Sequence, residues 1–298
     1  MSIDDDKALV RSLHQSGLTI HEIAKQVKKS AGWVYSRLNE KYAPDRKRDT
    51  SEVPPEPADI PDDPVLAQPA RHVGSMNTLD AGYSITELVF ERREMERVSQ
   101  ALSGADLYRT KAGVRHVLPL PAVRALAAHP ALVALAATFI GDQPIPFRAT
   151  LFDKSTASNW LVAWHQDTAL PLRKKVDDSS WGPWSVKGGV LHAIAPASAL
   201  ATVVAVRVHL DDSTQANGPL RVLPGTHTGG LLTHDEIQQL AAVVTPVACV
   251  ASAGGVVAMR PLVVHASSKA SDNQPRRVLH IEYATSVHLG AGLELAVG

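Results

Sequence analysis

Beyond residue 146, short runs of β-branched and apolar residues follow one another with turn signals between them. Breaks such as Asn217-Gly218-Pro219 and Gly254-Gly255 suit the tight connections of an antiparallel barrel or jelly roll. Residues 82 to 141 instead carry apolar residues at helical spacing, with an interruption at Pro130. Because helices come first and strands later, the pattern predicts an α+β domain and not a doubly wound sheet. The predicted helices include Glu91–Leu102 and Ala122–Phe139, and the predicted strands are Trp160–Trp164, Val190–Ile194, Thr202–Leu210, Leu220–Leu223, Val247–Val250, Val256–Met259, Leu262–His265 and Val278–Ala284.

The composition excludes several classes of site. Lys+Arg and Asp+Glu both number 30, so any attraction to nucleic acid or to an anionic membrane must be local. The single cysteine, Cys249, cannot form an internal disulfide, and a metal site would have to use histidine and carboxylate ligands. No apolar run approaches the roughly 20 residues that span a bilayer, and the acidic N-terminus is unlike a signal peptide. We therefore expect a cytoplasmic protein without a membrane partner.

Residues 7 to 42 form a separate helical pattern of three short segments. Thr19 and Glu22 have the spacing of a capping box at the second segment, and Ser30 is placed to cap the third. This pattern resembles the helix-turn-helix of the resolvase and homeodomain-like group. Residues 7 to 48 hold ten Lys/Arg against three acids, so residues 1–48 are a candidate DNA-binding segment. The alternative is that the three helices dock on the rest of the chain or form a homodimer.

A proline-rich and acidic stretch separates this segment from the rest of the chain. It contains Pro54-Pro55, Pro57, Pro61, Pro64 and Pro69, and it has almost no aromatic residues. Such a composition cannot bury enough apolar surface to offset the entropy of ordering, so it predicts an extended tether. The sequence thus predicts a helix-turn-helix-like module at 1–43, a linker at 44–75 and a larger domain at 76–298.

The segment Trp164-His165-Gln166-Asp167 carries the first candidate chemistry. On a strand, His165 and Asp167 would point to the same face and could share one metal ion, whereas Gln166 would point away and be structural. His265, which ends the apolar run that begins at Pro261, is the candidate third ligand. Two histidines and one carboxylate form a facial triad that leaves positions open for a bidentate co-substrate and dioxygen.

Arg276 follows His265 by eleven residues, across a turn and at the start of a predicted strand. A planar guanidinium there is well suited to the distal carboxylate of a 2-oxo diacid whose other end chelates the metal. Ser267 lies on the same face as His265 and could add a hydroxyl donor. The alternative is that Arg276-Arg277 is a solvated surface pair.

Several blocks in order, from about Gly82 to Ala284, resemble the phytanoyl-CoA dioxygenase superfamily of Fe(II)/2-oxoglutarate oxygenases. Together they are far more specific than any single motif. The blocks are Asn159-Trp160, Trp164-His165-Gln166-Asp167, Arg207-Val208-His209-Leu210-Asp211-Asp212, the stretch from Asn217 to His227, Pro261 to Ser268, and Arg276 to Tyr283.

The resemblance implies a double-stranded β-helix, a jelly-roll or cupin-like core with flanking helices. It implies that His165, Asp167 and His265 bind iron, and that Arg276 and Ser267 hold 2-oxoglutarate in a pocket lined by Trp184. Members of the family also use a lysine toward the co-substrate; no lysine aligns clearly here, and Lys154 is the candidate.

The activity implied is hydroxylation of a C–H bond of a small molecule by dioxygen, with decarboxylation of 2-oxoglutarate to succinate. The segment Leu170–Lys187 is polar, contains glycine and is long enough to be a substrate lid. The alternatives are a DNA-binding regulator that senses a ligand through the barrel and an oxygenase directed to nucleic acid. The intact triad with Arg276 favours turnover over sensing.

Overall fold

The computed structural model describes two parts of the chain. They are residues 9, 10, 12, 13, 23, 26 and 27, and residues 78–298 except 88, 106, 108, 109, 111, 112, 142, 156, 157, 188 and 291. Apart from the first group, the predicted helix-turn-helix module and linker lie outside the described residues. The bounds of the three predicted segments remain predictions.

Along residues 78–298, most helices lie before residue 145 and most antiparallel strands lie after it. The helices are α1 Thr78–Ala81, α2 Arg92–Gly104, α3 Pro121–Ala127, α4 Pro130–Ile140, α5 Ala197–Leu200 and α6 His234–Val243, with a 3-10 turn at Thr226–Gly229. The strands are β1 Tyr83–Thr86, β2 Gly113–Arg115, β3 Ile145–Lys154, β4 Val162–His165, β5 Ala169–Leu172, β6 Trp184–Lys187, β7 Val190–Ile194, β8 Val203–His209, β9 Leu220–Val222, β10 Val247–Cys249, β11 Val256–Met259, β12 His265–Ser267, β13 Arg276–Ala284, β14 His288–Gly290 and β15 Leu293–Glu294.

The largest sheet has six strands in the order β1-β11-β8-β13-β3-β2, all paired antiparallel. Its central strand β13 alternates two kinds of side chain, because successive residues of a strand face opposite ways. Leu279, Ile281 and Tyr283 pack into an apolar cluster with residues of α2, α3 and α4. His280 and Glu282 face the other side of the sheet. The helices therefore cover one face, and the opposite face carries polar groups.

Prolines set the starts of the two helices on that covered face. Pro121 and Pro130 each occupy the first turn of their helix, where a missing N–H leaves no hydrogen bond unmade. The ring of His129 accepts a hydrogen bond from Ala131 N and so caps α4. Pro130, predicted as an interruption, accordingly ends one helix and begins the next.

No single helix among the described residues is long and apolar enough to cross a membrane; only α3 and α4 together pass that test, bent by 52°.

A four-stranded sheet, in the order β10-β9-β12-β4, lies against the inner face of the six-stranded sheet. Ala205, Val257 and Met259 from the larger sheet pack with Leu220 and Val222 from the smaller one, in a cluster that also contains the fully buried Cys249. A three-stranded sheet, β5-β7-β6, completes this side. The result is a mixed helical and antiparallel β-sandwich, consistent with the predicted jelly-roll core.

The sequence pattern missed strands where apolar spacing was ambiguous. β1 and β2 lie inside the region predicted as helical, and β3, the long neighbour of β13, was not predicted as a strand. The predicted lid at Leu170–Lys187 contains two strands, β5 and β6. The predicted strand Leu262–His265 is wrong in position: Val263 N donates to Arg260 O in a turn, and the strand begins at His265. The apolar run there is buried in a turn, and burial alone does not distinguish a turn from a strand.

We expect Leu279→Ala to lower the free energy of unfolding by about 2–5 kcal/mol, because this fully buried side chain joins the central strand to the helices. Urea denaturation of the full chain measures the change. Val243→Ala removes a side chain that is 79% exposed and should change stability by no more than about 0.5 kcal/mol. Equal effects of the two substitutions would contradict this description of the core.

Candidate metal centre

Two histidines that are 100 positions apart in the sequence face each other across adjacent strands. His265, the first residue of β12, is the direct antiparallel partner of His165, the last residue of β4. Their ring centroids are 4.2 Å apart. One ligand atom each from His165, Asp167 and His265 lies within 4.8 Å of the others. The structure therefore brings together all three residues that the sequence predicted as metal ligands.

Backbone hydrogen bonds orient both imidazole rings in the same way. His165 Nδ1 lies 2.8 Å from Ala163 O, and His265 Nδ1 lies 2.8 Å from Val263 O. Because a carbonyl accepts, each Nδ1 carries the proton and each Nε2 keeps its lone pair. Such a second hydrogen bond fixes the tautomer and the orientation of a metal-binding histidine. Both Nε2 atoms are therefore available as ligands.

Asp167 completes the cluster from just beyond the end of β4. Its backbone N–H donates to Pro261 O at 2.9 Å, and its carboxylate oxygens lie 3.7 Å from His165 Nε2 and 3.5 Å from His265 Nε2. The sequence predicted Asp167 on the same strand as His165. In the structure Asp167 lies beyond the end of that strand, and its hydrogen bond to the turn at Pro261 positions it.

The protonation states suit a cation. Burial raises the pKa of Asp167, but His265 and other neighbouring basic groups lower it further, so the carboxyl pKa lies below its usual range. Burial lowers the pKa of His265 to about 4. At neutral pH the carboxylate is therefore charged and this imidazole is neutral, which is the state that metal binding requires. Two imidazole nitrogens and one carboxylate oxygen are the donor set of a facial Fe(II) triad, so the residues present fit that metal.

Gln166, between two of these residues, has a structural role as predicted. Its Nε2 donates to Gly230 O and Leu262 O, both at 2.8 Å, and its Oε1 accepts from Leu232 N at 2.9 Å. The side chain thus links the loop that carries Asp167 to the segment before α6.

Two buried cations lie beside the triad on neighbouring strands. Arg276, the first residue of β13, is the direct partner of Lys154, the last residue of β3. Ser267 Oγ lies 3.0 Å from Lys154 Nζ and 3.3 Å from Arg276 Nη2. Lys154 is 1% exposed and Arg276 is 4% exposed. The alternative of a solvated surface arginine at 276 is therefore wrong.

Neither cation is neutralised by a residue that the structure describes. Among the described residues, no carboxylate forms an ion pair with Arg276 or Lys154; their partners are hydroxyl and carbonyl oxygens. Burial, and then the charge of Arg276, lower the pKa of Lys154 to about 7. Buried charge without a counter-ion costs several kcal/mol, so this pocket favours an anion.

The turn at Asn217-Gly218 forms the wall of this pocket. Asn217 O accepts from Arg276 Nε at 3.2 Å, and Gly218 O accepts from Ser267 Oγ at 2.9 Å. Gly218 has φ +68, and a Cβ there would lie 2.4 Å from Ser268 O and 3.0 Å from Lys154 Nζ. Only glycine allows the chain to approach the two cations this closely.

Trp184 was predicted to line the pocket around Arg276, and its packing contradicts this. On β6 it pairs with Ala193, and it packs against the apolar cluster that contains Phe147 and Ala284. Ala284 is at the opposite end of β13 from Arg276. The neighbouring pair Ser185 and His192 faces the other way, where His192 contacts Arg148. Strand alternation, which the sequence could not reveal without the register, explains the difference.

A polar network that the sequence did not predict continues along the inner face of β13. Glu282 forms a two-point ion pair with its cross-strand partner Arg148, whose Nη1 also lies 3.2 Å from His192 Nε2. His280 Nδ1 lies 3.0 Å from Arg207 Nη1 on β8. Polar residues at positions 276, 280 and 282 could have indicated this network, because they share one face of the strand. The sequence analysis predicted that strand from its apolar residues alone.

Known proteins share this fold. The sequence model of the phytanoyl-CoA dioxygenase family matches residues 78–278. No curated protein sequence matches the chain.

Solved structures with the same fold include AviO1 from Streptomyces viridochromogenes Tue57, at 22% identity over 70% of this chain and 91% of that one, with a TM-score of 0.51. EctD from S. alaskensis, solved with 2-oxoglutarate and 5-hydroxyectoine, is 21% identical over 69% of this chain and 72% of its own, with a TM-score of 0.54. SnoN, a non-heme alpha ketoglutarate dependent epimerase from nogalamycin biosynthesis, is 20% identical over 72% of this chain and 84% of its own, with a TM-score of 0.52.

We expect His265→Ala to weaken Fe(II) binding at least about tenfold, since even the loss of an outer hydrogen bond to a metal ligand has that effect. Anaerobic titration of the metal measures the affinity. His234→Ala removes an exposed histidine outside the cluster and should leave the affinity unchanged. Wild-type affinity in His265→Ala would exclude this centre.

Proposed function

The chain belongs to the phytanoyl-CoA dioxygenase family, whose sequence model matches two thirds of its length, and on that premise we propose that it is an Fe(II)- and 2-oxoglutarate-dependent oxygenase that hydroxylates a C–H bond of a small molecule. Fe(II) and 2-oxoglutarate are its cofactors. The metal ligands are His165, Asp167 and His265.

One observation supports this function above the others: the candidate metal centre and the anion-favouring pocket share strand β12. His265 and Ser267 are two residues apart, so both face the same way and are separated by roughly 6.6 Å along the strand. A five-carbon diacid can therefore reach both sites, with its 2-oxo acid end at the metal and its distal carboxylate at Arg276 and Lys154. 2-Oxoglutarate has that length and charge.

The residues of the chain hold and orient the reactants. Fe(II) and 2-oxoglutarate, when bound, supply the oxidising chemistry, in which dioxygen converts the co-substrate to succinate and carbon dioxide and the second oxygen atom enters a C–H bond. His165, Asp167 and His265 would hold the metal, and a facial triad of this kind would leave positions free for the reactants. Arg276 fixes the co-substrate by charge-assisted hydrogen bonds. The buried side chains of Val222 and Val263 exclude water from this side of the site.

The structural neighbours are compatible with this function without defining the reaction. The structure of EctD contains 2-oxoglutarate and 5-hydroxyectoine, and SnoN is named as an epimerase. Hydroxylation is the outcome we propose, because an oxygenase of this type needs only a C–H bond near the metal. The DNA-directed alternatives depend on residues 1–48, which lie almost wholly outside the described part of the chain.

We expect anaerobic Fe(II) and 2-oxoglutarate to give a visible charge-transfer band in the wild-type protein. Arg276→Gln should weaken 2-oxoglutarate binding about 10- to 100-fold, because each charge-assisted hydrogen bond contributes about 1.5–3 kcal/mol. Arg277→Gln is the matched control: the neighbouring guanidinium pairs with Asp211 on the opposite face. No band in the wild-type protein would count against the function, and equal affinities of the two variants would count against the role of Arg276.

The pKa of Lys154 predicts that 2-oxoglutarate binding takes up a proton. With its pKa lowered to about 7, Lys154 is partly neutral at pH 7.5, and a bound dianion favours the charged ammonium. The affinity should therefore be highest below pH 7 and fall as the pH rises above it. Calorimetry at pH 7.5 in two buffers of different ionisation enthalpy measures the uptake. Lys154→Met should abolish it; the same uptake in this variant would rule out Lys154 as its source.

A further inference from the structure

A second group of cations lies at the other end of the strand pair that carries Arg276. Arg148 is the partner of Glu282 on β13, and Lys154 is the partner of Arg276. The two pairs are six residues apart, or roughly 20 Å along the strands. This second end therefore does not belong to the pocket for the co-substrate.

Two edge strands each direct a cation toward Arg148. Arg115, at the end of edge strand β2, is paired with Thr150, which is also the partner of His280, so Arg115 shares the inner face with His280. Lys187 ends the edge strand β6 of the three-stranded sheet.

Alternation on β6 and β7 fixes the direction of Lys187. Ser185, two residues before it, is the partner of His192, whose Nε2 lies 3.2 Å from Arg148 Nη1. Lys187 therefore lies on the face that points to Arg148. The two edge strands come from different sheets, and the cations of both lie on the side of Arg148.

Positive charge is in excess at this point. Arg115, Arg148 and Lys187 contribute three positive charges. Of the two carboxylates that act on this group, Glu282 pairs with Arg148, and Asp167 belongs to the candidate metal centre. Among the described residues, neither Arg115 nor Lys187 forms an ion pair within 4.0 Å. Burial, and then the like charges of Arg115 and Arg148, lower the pKa of Lys187.

His116 adds a hydrogen-bonding group beside these cations. Burial lowers its pKa and the nearby backbone carbonyl of Lys187 raises it, so the ring lies next to the end of β6. The ring nitrogen Nε2 is buried and has no hydrogen-bond partner in the described structure. The backbone of His116 has φ +59, which is uncommon for a residue other than glycine. A strained residue with an unsatisfied buried nitrogen, next to excess positive charge, indicates a site for a ligand.

This group of cations borders the candidate metal centre. The charge of Asp167 acts on both Arg148 and Lys187. A molecule held here would extend toward the triad from the side opposite to Arg276, which is where the substrate of an oxygenase must lie.

We propose that Arg115, His116, Arg148 and Lys187 form a subsite for an oxyanion, and that the substrate is a small molecule that carries a carboxylate, phosphate or sulfate group at the end remote from the reacting carbon. This inference rests on the proposed function, because the metal centre defines which end of the molecule reacts.

Isothermal titration calorimetry on the anaerobic complex with Fe(II) and saturating 2-oxoglutarate tests the subsite. Saturation with 2-oxoglutarate keeps the probe away from Arg276 and Lys154. The probes are 1-hexanesulfonate and the neutral, isosteric hexane-1-sulfonamide. We expect the sulfonate to bind at least about tenfold more tightly than the sulfonamide, a difference of about 1.4 kcal/mol. Hexyl phosphate, titrated in parallel, distinguishes the two charge states: tighter binding than the sulfonate indicates a phosphate-type dianion, and equal or weaker binding indicates a monoanion.

The double variant Arg115→Gln/Lys187→Gln should lose the preference for the sulfonate and leave sulfonamide binding unchanged. Arg115→Lys/Lys187→Arg retains both charges and should restore sulfonate binding. The matched control Arg93→Gln/Arg97→Gln removes two exposed cations from α2 and should bind both probes as the wild type does.

The outcomes separate the subsite from the proposed function. A charge-transfer band in the wild-type complex, with equal binding of sulfonate and sulfonamide, overturns the subsite alone. Wild-type sulfonate affinity in the double Gln variant does the same. Absence of the band overturns the proposed function and, with it, the subsite as a substrate site.

Discussion

The antiparallel pairing of β12 with β4 is the interaction on which the candidate centre depends. It places His265 opposite His165, and it positions Ser267 against the start of β13. A shift of one residue in this pairing would turn both the histidine and the serine to the other face of the sheet. The apolar residues of β9 and of the turn before β12 are fully buried against the larger sheet, and this burial selects the register. Apolar packing of these residues thus determines the geometry of the candidate metal centre.

The two faces of strand β13 have different roles. The outer face is apolar and packs on helices, which stabilises the sheet. The inner face carries Arg276, His280 and Glu282 in one row. His280 contacts Arg207 and Glu282 pairs with Arg148, whereas Arg276 is available to a ligand. Charged groups on a central strand are costly to bury unless they are paired or bind a ligand. Glu282 therefore contributes to the architecture through its ion pair with Arg148. Arg276 has no carboxylate partner among the described residues and is available to an anion.

The sequence predicted the local features well and the relations between distant strands poorly. The strands Val190–Ile194 and Val256–Met259 were predicted at their observed bounds, because β-branched runs between turn residues have few alternatives. The triad was predicted from spacing and from the resemblance to a family. The position of Lys154 beside Arg276, and of Arg148 beside Glu282, follows from the register of β3 with β13, which no local pattern encodes. Trp184 was misplaced for the same reason: its face is decided by its partner on β7.

The single thiol of the chain is enclosed between the two sheets. Burial raises the pKa of Cys249 to about 12, so the sulfur stays protonated at physiological pH. Only the thiolate reacts readily with peroxides and electrophiles. A protein that brings reduced iron together with molecular oxygen is exposed to partially reduced by-products whenever the two react unproductively. Its one sulfhydryl is protected from that damage by the same packing that aligns the strands, so repeated cycles of oxidation should spare this residue.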